Sequence, residues 1–253
     1  MKKESWLIAA AAACALLQPV VATAEEAPAV LVRAYVLVAK PGGGDALHKA
    51  LKAHGEWRVK NGESWQWHIY TRVAGEGAPD TYVIRSGPKQ WADFDAYREF
   101  NAKALPHFQR TVSPHVAHSE AHLSRWANDL SNWPEEAGPY SMFWVYDYHL
   151  RPGGMRPALA AIGKIGANLK AGGWETVHGW EVNMTGSPSV SLVVPSADWA
   201  GFADPAKSAF EVLAEQLGEE AAGKLWHSFF ERVKSMDSSI WVEASDLAVT
   251  PQS

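Results

Sequence analysis

Imidazole, phenol and guanidinium side chains recur in this chain at every second residue. Gln66, His68, Tyr70 and Arg72 alternate, and in a β-strand that spacing puts all four on one face. An offset of 110 residues (178 − 68) sets His178 against His68 and Trp180 against Tyr70. Tyr35 is matched by Tyr146, in a run that also alternates Trp144 and Tyr148. Turned towards one another, these side chains would enclose an apolar space with a few convergent polar groups, the usual make-up of a small-molecule site. The expected ligand-binding set is therefore Tyr35, His68, Tyr70, Arg72, Trp144, Tyr146, Tyr148, His178 and Trp180. Histidine is the natural general base near neutral pH, and Tyr or Arg can hold an enolate or phenolate. The competing reading makes His68 and His178 hydrogen-bonded members of a packed interface. A reversed register would instead present Trp65, Trp67 and Ile69 to the cavity.

A second constellation is His115, His118 and His122, with His107 nearby. Spacings of three and four put three imidazoles on one helical face, a set that could bind zinc or copper or supply an axial haem ligand. Against this, Pro114 breaks the run, a strand is expected near Ala121, and the second half of the chain has no counterpart. A solvated, His-rich surface is the plainer reading. Glu56 and Glu63, near His54 and Trp57, offer a carboxylate–His pair or an ordinary charged helix face. No G-x-S-x-G, P-loop, H-E-x-x-H or dinucleotide fingerprint is present.

The elements that must position these residues repeat. Lys40-Pro41-Gly42-Gly43 returns as Arg151-Pro152-Gly153-Gly154, and Trp91-Ala92-Asp93-Phe94 as Trp199-Ala200-Gly201-Phe202. The two pairs are 111 and 108 residues apart (152 − 41 and 199 − 91), as a duplication predicts. In the first copy the pattern predicts a strand over 31–39, a helix from an Asp45 N-cap to about Lys60, and strands over 64–73 and 81–86. A long helical stretch through Leu105 and a strand near 121–127 complete it. The second copy reads as strands over 141–150, 176–184, 189–194 and 239–244, with helices near 155–171 and 197–233. In the first strand, Val32, Ala34, Val36 and Val38 suit packing against helices, which leaves Arg33, Tyr35 and Leu37 for the cavity.

Each copy thus has the order βαββαβ, which specifies an antiparallel sheet with helices on one face. With this order and the Pro-Gly-Gly and Trp-x-x-Phe pairs in place, the chain resembles the dimeric α/β-barrel superfamily in a tandem form, over about Val30 to Val249. The resemblance implies an α+β fold of two ferredoxin-like units, 30–127 and 140–249, joined by a linker over 128–139. Such proteins include cofactor-free monooxygenases, haem proteins resembling chlorite dismutase or dye-decolourising peroxidase, and small-lactone isomerases. The fold therefore leaves the function open, with haem or a metal as the cofactors it admits.

The termini and composition narrow the setting. Two lysines, an apolar run from Trp6 to Leu17 and an Ala22-Thr23-Ala24 end predict a signal peptide over 1–24 and a periplasmic or secreted protein. Cys14 is the single cysteine, so the mature chain has no disulfide or thiolate chemistry. A formal charge of −5, with no basic block, argues against nucleic acid as a partner, and no later segment is long and apolar enough to span a membrane. At 47% hydrophobic, the chain can bury a sizeable core. The expectation is an exported protein that binds a small aromatic or apolar molecule between its sheets, alone or as a homo-oligomer. The alternatives are a cofactor-independent monooxygenase or haem peroxidase-like enzyme on the same cavity, and a non-catalytic interaction module with a Trp-rich surface.

Overall fold

The computed structural model describes residues 30–134, 136 and 138–251; the signal peptide expected over 1–24 lies outside them. Strand β1 (Leu31–Ala39) leads into helix α1 (Gly44–Lys60), then β2 (His68–Gly75), β3 (Thr81–Lys89), α2 (Trp91–Thr111) and β4 (Val116–Trp126). The second half runs β5 (Met142–Leu150), α3 (Met155–Ala171), β6 (Gly179–Asn183), β7 (Ser189–Ser196), α4 (Ala209–Leu217), α5 (Glu219–Phe230) and β8 (Val233–Glu243). The repeated Pro-Gly-Gly turn ends β1 and β5 because Gly42 and Gly153 adopt φ of 68° and 75°, where a side chain is costly. Asp45 sits in the first turn of α1 rather than capping it, where its charge still favours the helix N-terminus. Of the helices expected over 197–233, a short turn at Ala200–Phe202 comes first, regular helix begins only at Ala209, and Gly218, with φ of 79°, separates α4 from α5. Ser208 and Glu211 form a capping box that starts α4.

Eight antiparallel strands close into one barrel in the order β1-β3-β2-β8-β5-β7-β6-β4. The halves meet at two seams, β2 with β8 and β4 with β6, where Tyr70 pairs with Glu243 and Ser124 with Asn183. Closure leaves no unpaired sheet edge. The helices pack outside. Leu37, Ile69, Tyr82 and Ile84 meet Leu47 and Leu51 of α1 and Tyr97 of α2 in the first half. Tyr148, Leu150 and Val190 meet Ala158, Ile162 and Phe229 in the second.

Strand alternation therefore assigns the faces opposite to the expectation for β1. Arg33, Tyr35 and Leu37 face the helices, while Val32, Ala34, Val36 and Val38 point into the barrel. The barrel interior is partly polar, and its buried Arg85 is paired with a carboxylate. Arg85 of β3 bonds Glu181 of β6, Ser124 donates to the same carboxylate, and Ser191 donates to Asp147. Paired charge is what lets a buried face carry ionisable groups, and it is why the more apolar run in β1 did not mark the helix side.

Candidate functional site

A cavity of about 320 Å³ lies between the outer face of the first half-sheet and its two helices. Its floor is Tyr35, Leu37, Trp67, Ile69 and Ile84. Leu51, His54 and Arg58 of α1 and Ala104 and Phe108 of α2 roof it, and Val249 closes one side. Exposed Asn101, Leu105, Ser119 and Ala121 form the mouth. Gly55 lets Val249 approach, since a Cβ there would stand 3.1 Å from its Cγ2. A larger hollow of about 420 Å³ runs along α1 past Lys52, Lys60 and Asp246. It is an open surface groove in which exposed charges flank Val59, Leu247 and Ala248.

Polar groups converge at the inner end of the cavity. His54 and Arg58 are four residues apart on α1, so they share a helix face. The Glu63 carboxylate is fully buried and accepts four hydrogen bonds: from Arg58 Nε at 2.6 Å, Tyr97 Oη at 2.7 Å, Trp67 Nε1 at 3.2 Å and the Trp65 amide at 2.7 Å. Arg58 also bonds the Tyr97 hydroxyl. The fork leaves Arg58 Nη1, 3.3 Å from His54 Nε2, as its donor beside the cavity. His54 Nδ1 is 2.9 Å from His107 Nδ1, and Trp57 stacks on both rings. Burial, then the Arg58 charge, then His107 bring the His54 pKa down to about 3, so its imidazole is neutral. Burial likewise pushes the Tyr97 phenol up. Behind the floor, the Arg33 guanidinium lies 4.5 Å from the Trp65 ring and 5.1 Å from Tyr97, held by cation–π contacts.

The expected site residues are not gathered in one place. Tyr35 lines this cavity and stacks on Trp67 at 6.0 Å. His68, Tyr70 and Arg72 point into the barrel instead. There His68 Nδ1 meets Glu243 at 2.9 Å, Tyr70 packs edge-on against Phe143, and Arg72 lies over Trp241. Burial raises the Tyr70 pKa to about 12, against the pull of Arg85. Trp144, Tyr146 and Tyr148 face the helices of the second half, with Trp180 and Phe229 packed on Tyr148. His178 is buried beside β6, its Nδ1–H donating to the Thr176 carbonyl at 2.9 Å, and burial lowers its pKa.

The mispairing has a simple cause. From β1 to β2 the two halves superpose with an offset of 111 residues, as the starts of β2 and β6 show (179 − 68). His178 then answers Trp67, and Trp180 answers Ile69. An offset of 110 is one residue short, and one residue flips a strand's faces. The same offset sets Ile165 in the place of His54, Leu169 in that of Arg58 and Trp174 in that of Glu63. The second half has apolar side chains where the first gathers charge, and Ile165, Leu169 and Trp174 pack together there.

His115, His118 and His122 do not share a helical face, because β4 begins at Val116. His118 and His122 flank Glu120 along the strand and bond its carboxylate at 2.8 and 3.1 Å, while His115 sits apart in a short turn. Among the described residues no group of three or more His, Cys, Asp or Glu is arranged to hold a metal ion. Haem does not fit the cavity either. His54 is the one histidine in its lining, and its two ring nitrogens face His107 and the Arg58 cation. Of the two readings open for Glu56 and Glu63, the carboxylate–His pair is not the one seen: Glu63 is buried and bonds Arg58.

No protein-family model and no curated protein matches the chain by sequence. Solved structures match it by shape. An anthrone oxidase-like protein aligns at 14% identity and TM-score 0.56, over 86% of this chain and 92% of its own. A candidate monooxygenase from Lactobacillus acidophilus NCFM aligns at 10% identity and 0.52, over 88% and 97%. A mutant chlorite dismutase from Candidatus Nitrospira defluvii aligns at 9% and 0.51, over 87% and 94%. What the chain shares with them is the dimeric α/β-barrel fold.

Proposed function

We propose that this dimeric α/β-barrel protein takes a small aromatic or apolar molecule into the first-half cavity and oxidises it with dioxygen, without a cofactor. The observation that carries the reading is a cavity, open at its mouth, whose floor is aromatic and aliphatic and whose lining presents a neutral imidazole beside a guanidinium. Such a pair suits a carbon acid or phenol. A substrate oxygen that draws the Arg58 Nη1 donor onto itself frees His54 Nε2, which takes the proton while Arg58 holds the oxygen on which negative charge collects. The carbanion reduces dioxygen and binds it, and loss of water from the hydroperoxide gives a ketone. For a methylene substrate the balance closes: one methylene group and one dioxygen give one carbonyl group and one water. Both C–H bonds break, dioxygen takes up the four electrons, and its oxygen atoms end in the ketone and in water. The descriptions of two structural neighbours, as an anthrone oxidase-like protein and a candidate monooxygenase, agree with this chemistry.

Anthrone is a suitable probe. Oxygen uptake should match the appearance of anthraquinone, and His54→Ala should slow the reaction about 10²- to 10⁴-fold, the usual worth of a positioned base. Wild-type protein no faster than buffer, or a His54→Ala variant as fast as wild type, sinks the oxidase. Saturable tryptophan quenching by anthraquinone without turnover would leave a binding protein. We also propose that the protein acts outside the cytoplasm, from the signal-like residues 1–24. Sequencing the exported chain should then find Glu25 first.

A further inference from the structure

We propose that His54 and His107 form a two-imidazole relay that carries a proton between the cavity and solvent. The proposal rests on the reading of His54 as the base and adds the route its proton takes. Hydrogen-bond direction along the chain is set by Arg58, which can only donate. Its Nη1 faces His54 Nε2 at 3.3 Å, so that nitrogen is the acceptor and the His54 hydrogen sits on Nδ1. His54 Nδ1–H then donates to His107 Nδ1, 2.9 Å away, and the His107 hydrogen sits on Nε2. His54 lines the cavity and is buried, whereas His107 is half-buried on α2 near the protein surface. Trp57 keeps the two rings in place, with its centroid 4.5 Å from His107 and nearly parallel to both imidazoles.

The charges around the pair explain why a relay is needed. On α1, Arg58 faces His54, with Glu63 behind it already bonded to the guanidinium. From α2, Phe108 meets the His54 ring edge-on at 5.5 Å, and the Arg110 charge acts on His107. No carboxylate bonds either imidazole among the described residues. A buried imidazolium beside a guanidinium is disfavoured, so a His54 that kept its proton would be a poor base. A relay avoids that state. As the substrate C–H bond breaks, its proton binds His54 Nε2, the Nδ1 proton passes to His107 Nδ1, and the His107 Nε2 proton leaves to water. When the peroxide is protonated and loses water, a proton returns by the reverse path and restores both tautomers.

Two measurements test the relay. Nitrogen-15 NMR of the histidines in the ligand-free protein at neutral pH should show His54 as the Nδ1–H tautomer and His107 as the Nε2–H tautomer. With anthrone, His107→Phe should lower kcat about 10-fold or more with KM nearly unchanged. It should also raise the solvent deuterium isotope effect, and imidazole in the buffer should restore part of the rate. Phe keeps the stack on Trp57, so a purely structural His107 would tolerate this change and ignore imidazole. An Nε2–H tautomer at His54, or a His107→Phe variant as fast as wild type, overturns the relay. The tautomers are read without substrate, so the relay can fail while the oxidase stands, and the oxidase can fail while the hydrogen-bonded pair is confirmed.

Discussion

His54 carries a pH signature that does not depend on any substrate. Its folded pKa is about 3, against an ordinary 6.5. Between those values the unfolded chain holds a proton that the folded protein refuses. Stability contributed by neutral His54 is thus complete above about pH 6.5 and is lost as the pH falls towards 3, with a slope of up to about 1.4 kcal/mol per pH unit for one proton. A His54→Gln variant should lose less melting temperature than wild type between pH 6.5 and 4, measured by calorimetry. Equal losses would mean that His54 is not buried as described. This residue was half legible in the sequence. His54, Trp57 and Glu63 stand close in the sequence, but the alternating strand histidines are the stronger pattern for a base. Nothing in the spacing marks Arg58 as Glu63's partner, because that contact needs the α1 end to fold back past Gly62 onto Trp65 and Trp67.

On the scale of elements, the Arg58–Glu63 pair fastens the end of α1 to α2, through Tyr97, and to the segment that enters β2. Both ions are buried, so removing one strands the other. Glu63→Ala should cost about 3–5 kcal/mol by denaturant unfolding, whereas Glu63→Leu combined with Arg58→Met should recover most of it. A cheap Glu63→Ala would mean that water reaches the Arg58 guanidinium. The elements themselves were readable, since Pro-Gly-Gly turns and apolar periodicity place α1, α3, β1 and β5 within a residue or two. Their faces were not. Period-two alternation yields two solutions, and the choice requires knowing that Arg33 is sheltered by Trp65 and Tyr97 while Arg85 is neutralised across the barrel. β4 was placed five residues late because its outer stretch, Ala117 to Ala121, is exposed and polar.

For the molecule as a whole, duplication and the barrel class were visible from the repeats and the element order, but pairing of the halves within one chain and their division of labour were not. Those depend on pairing between β2 and β8 and between β4 and β6, which no local pattern encodes. Because Ile165, Leu169 and Trp174 replace the polar set, ligand should bind once per chain. Calorimetric titration with a binding aromatic should give a stoichiometry near one, and a value near two would mean that the second half also opens. Arg85 and Glu181 tie the halves together inside the barrel. Arg85→Met should strand Glu181 and lower stability by about 3–5 kcal/mol, seen as earlier urea unfolding of both halves together.

The two seams of the barrel have a further consequence. Where separate subunits supply the matching units, dilution pulls the assembly apart by mass action and every amino-acid change is felt twice. Here a covalent tether holds the partners at fixed effective concentration, and each gene segment can drift alone. One half packs Ile165, Leu169 and Trp174 where its twin keeps a polar-ended void.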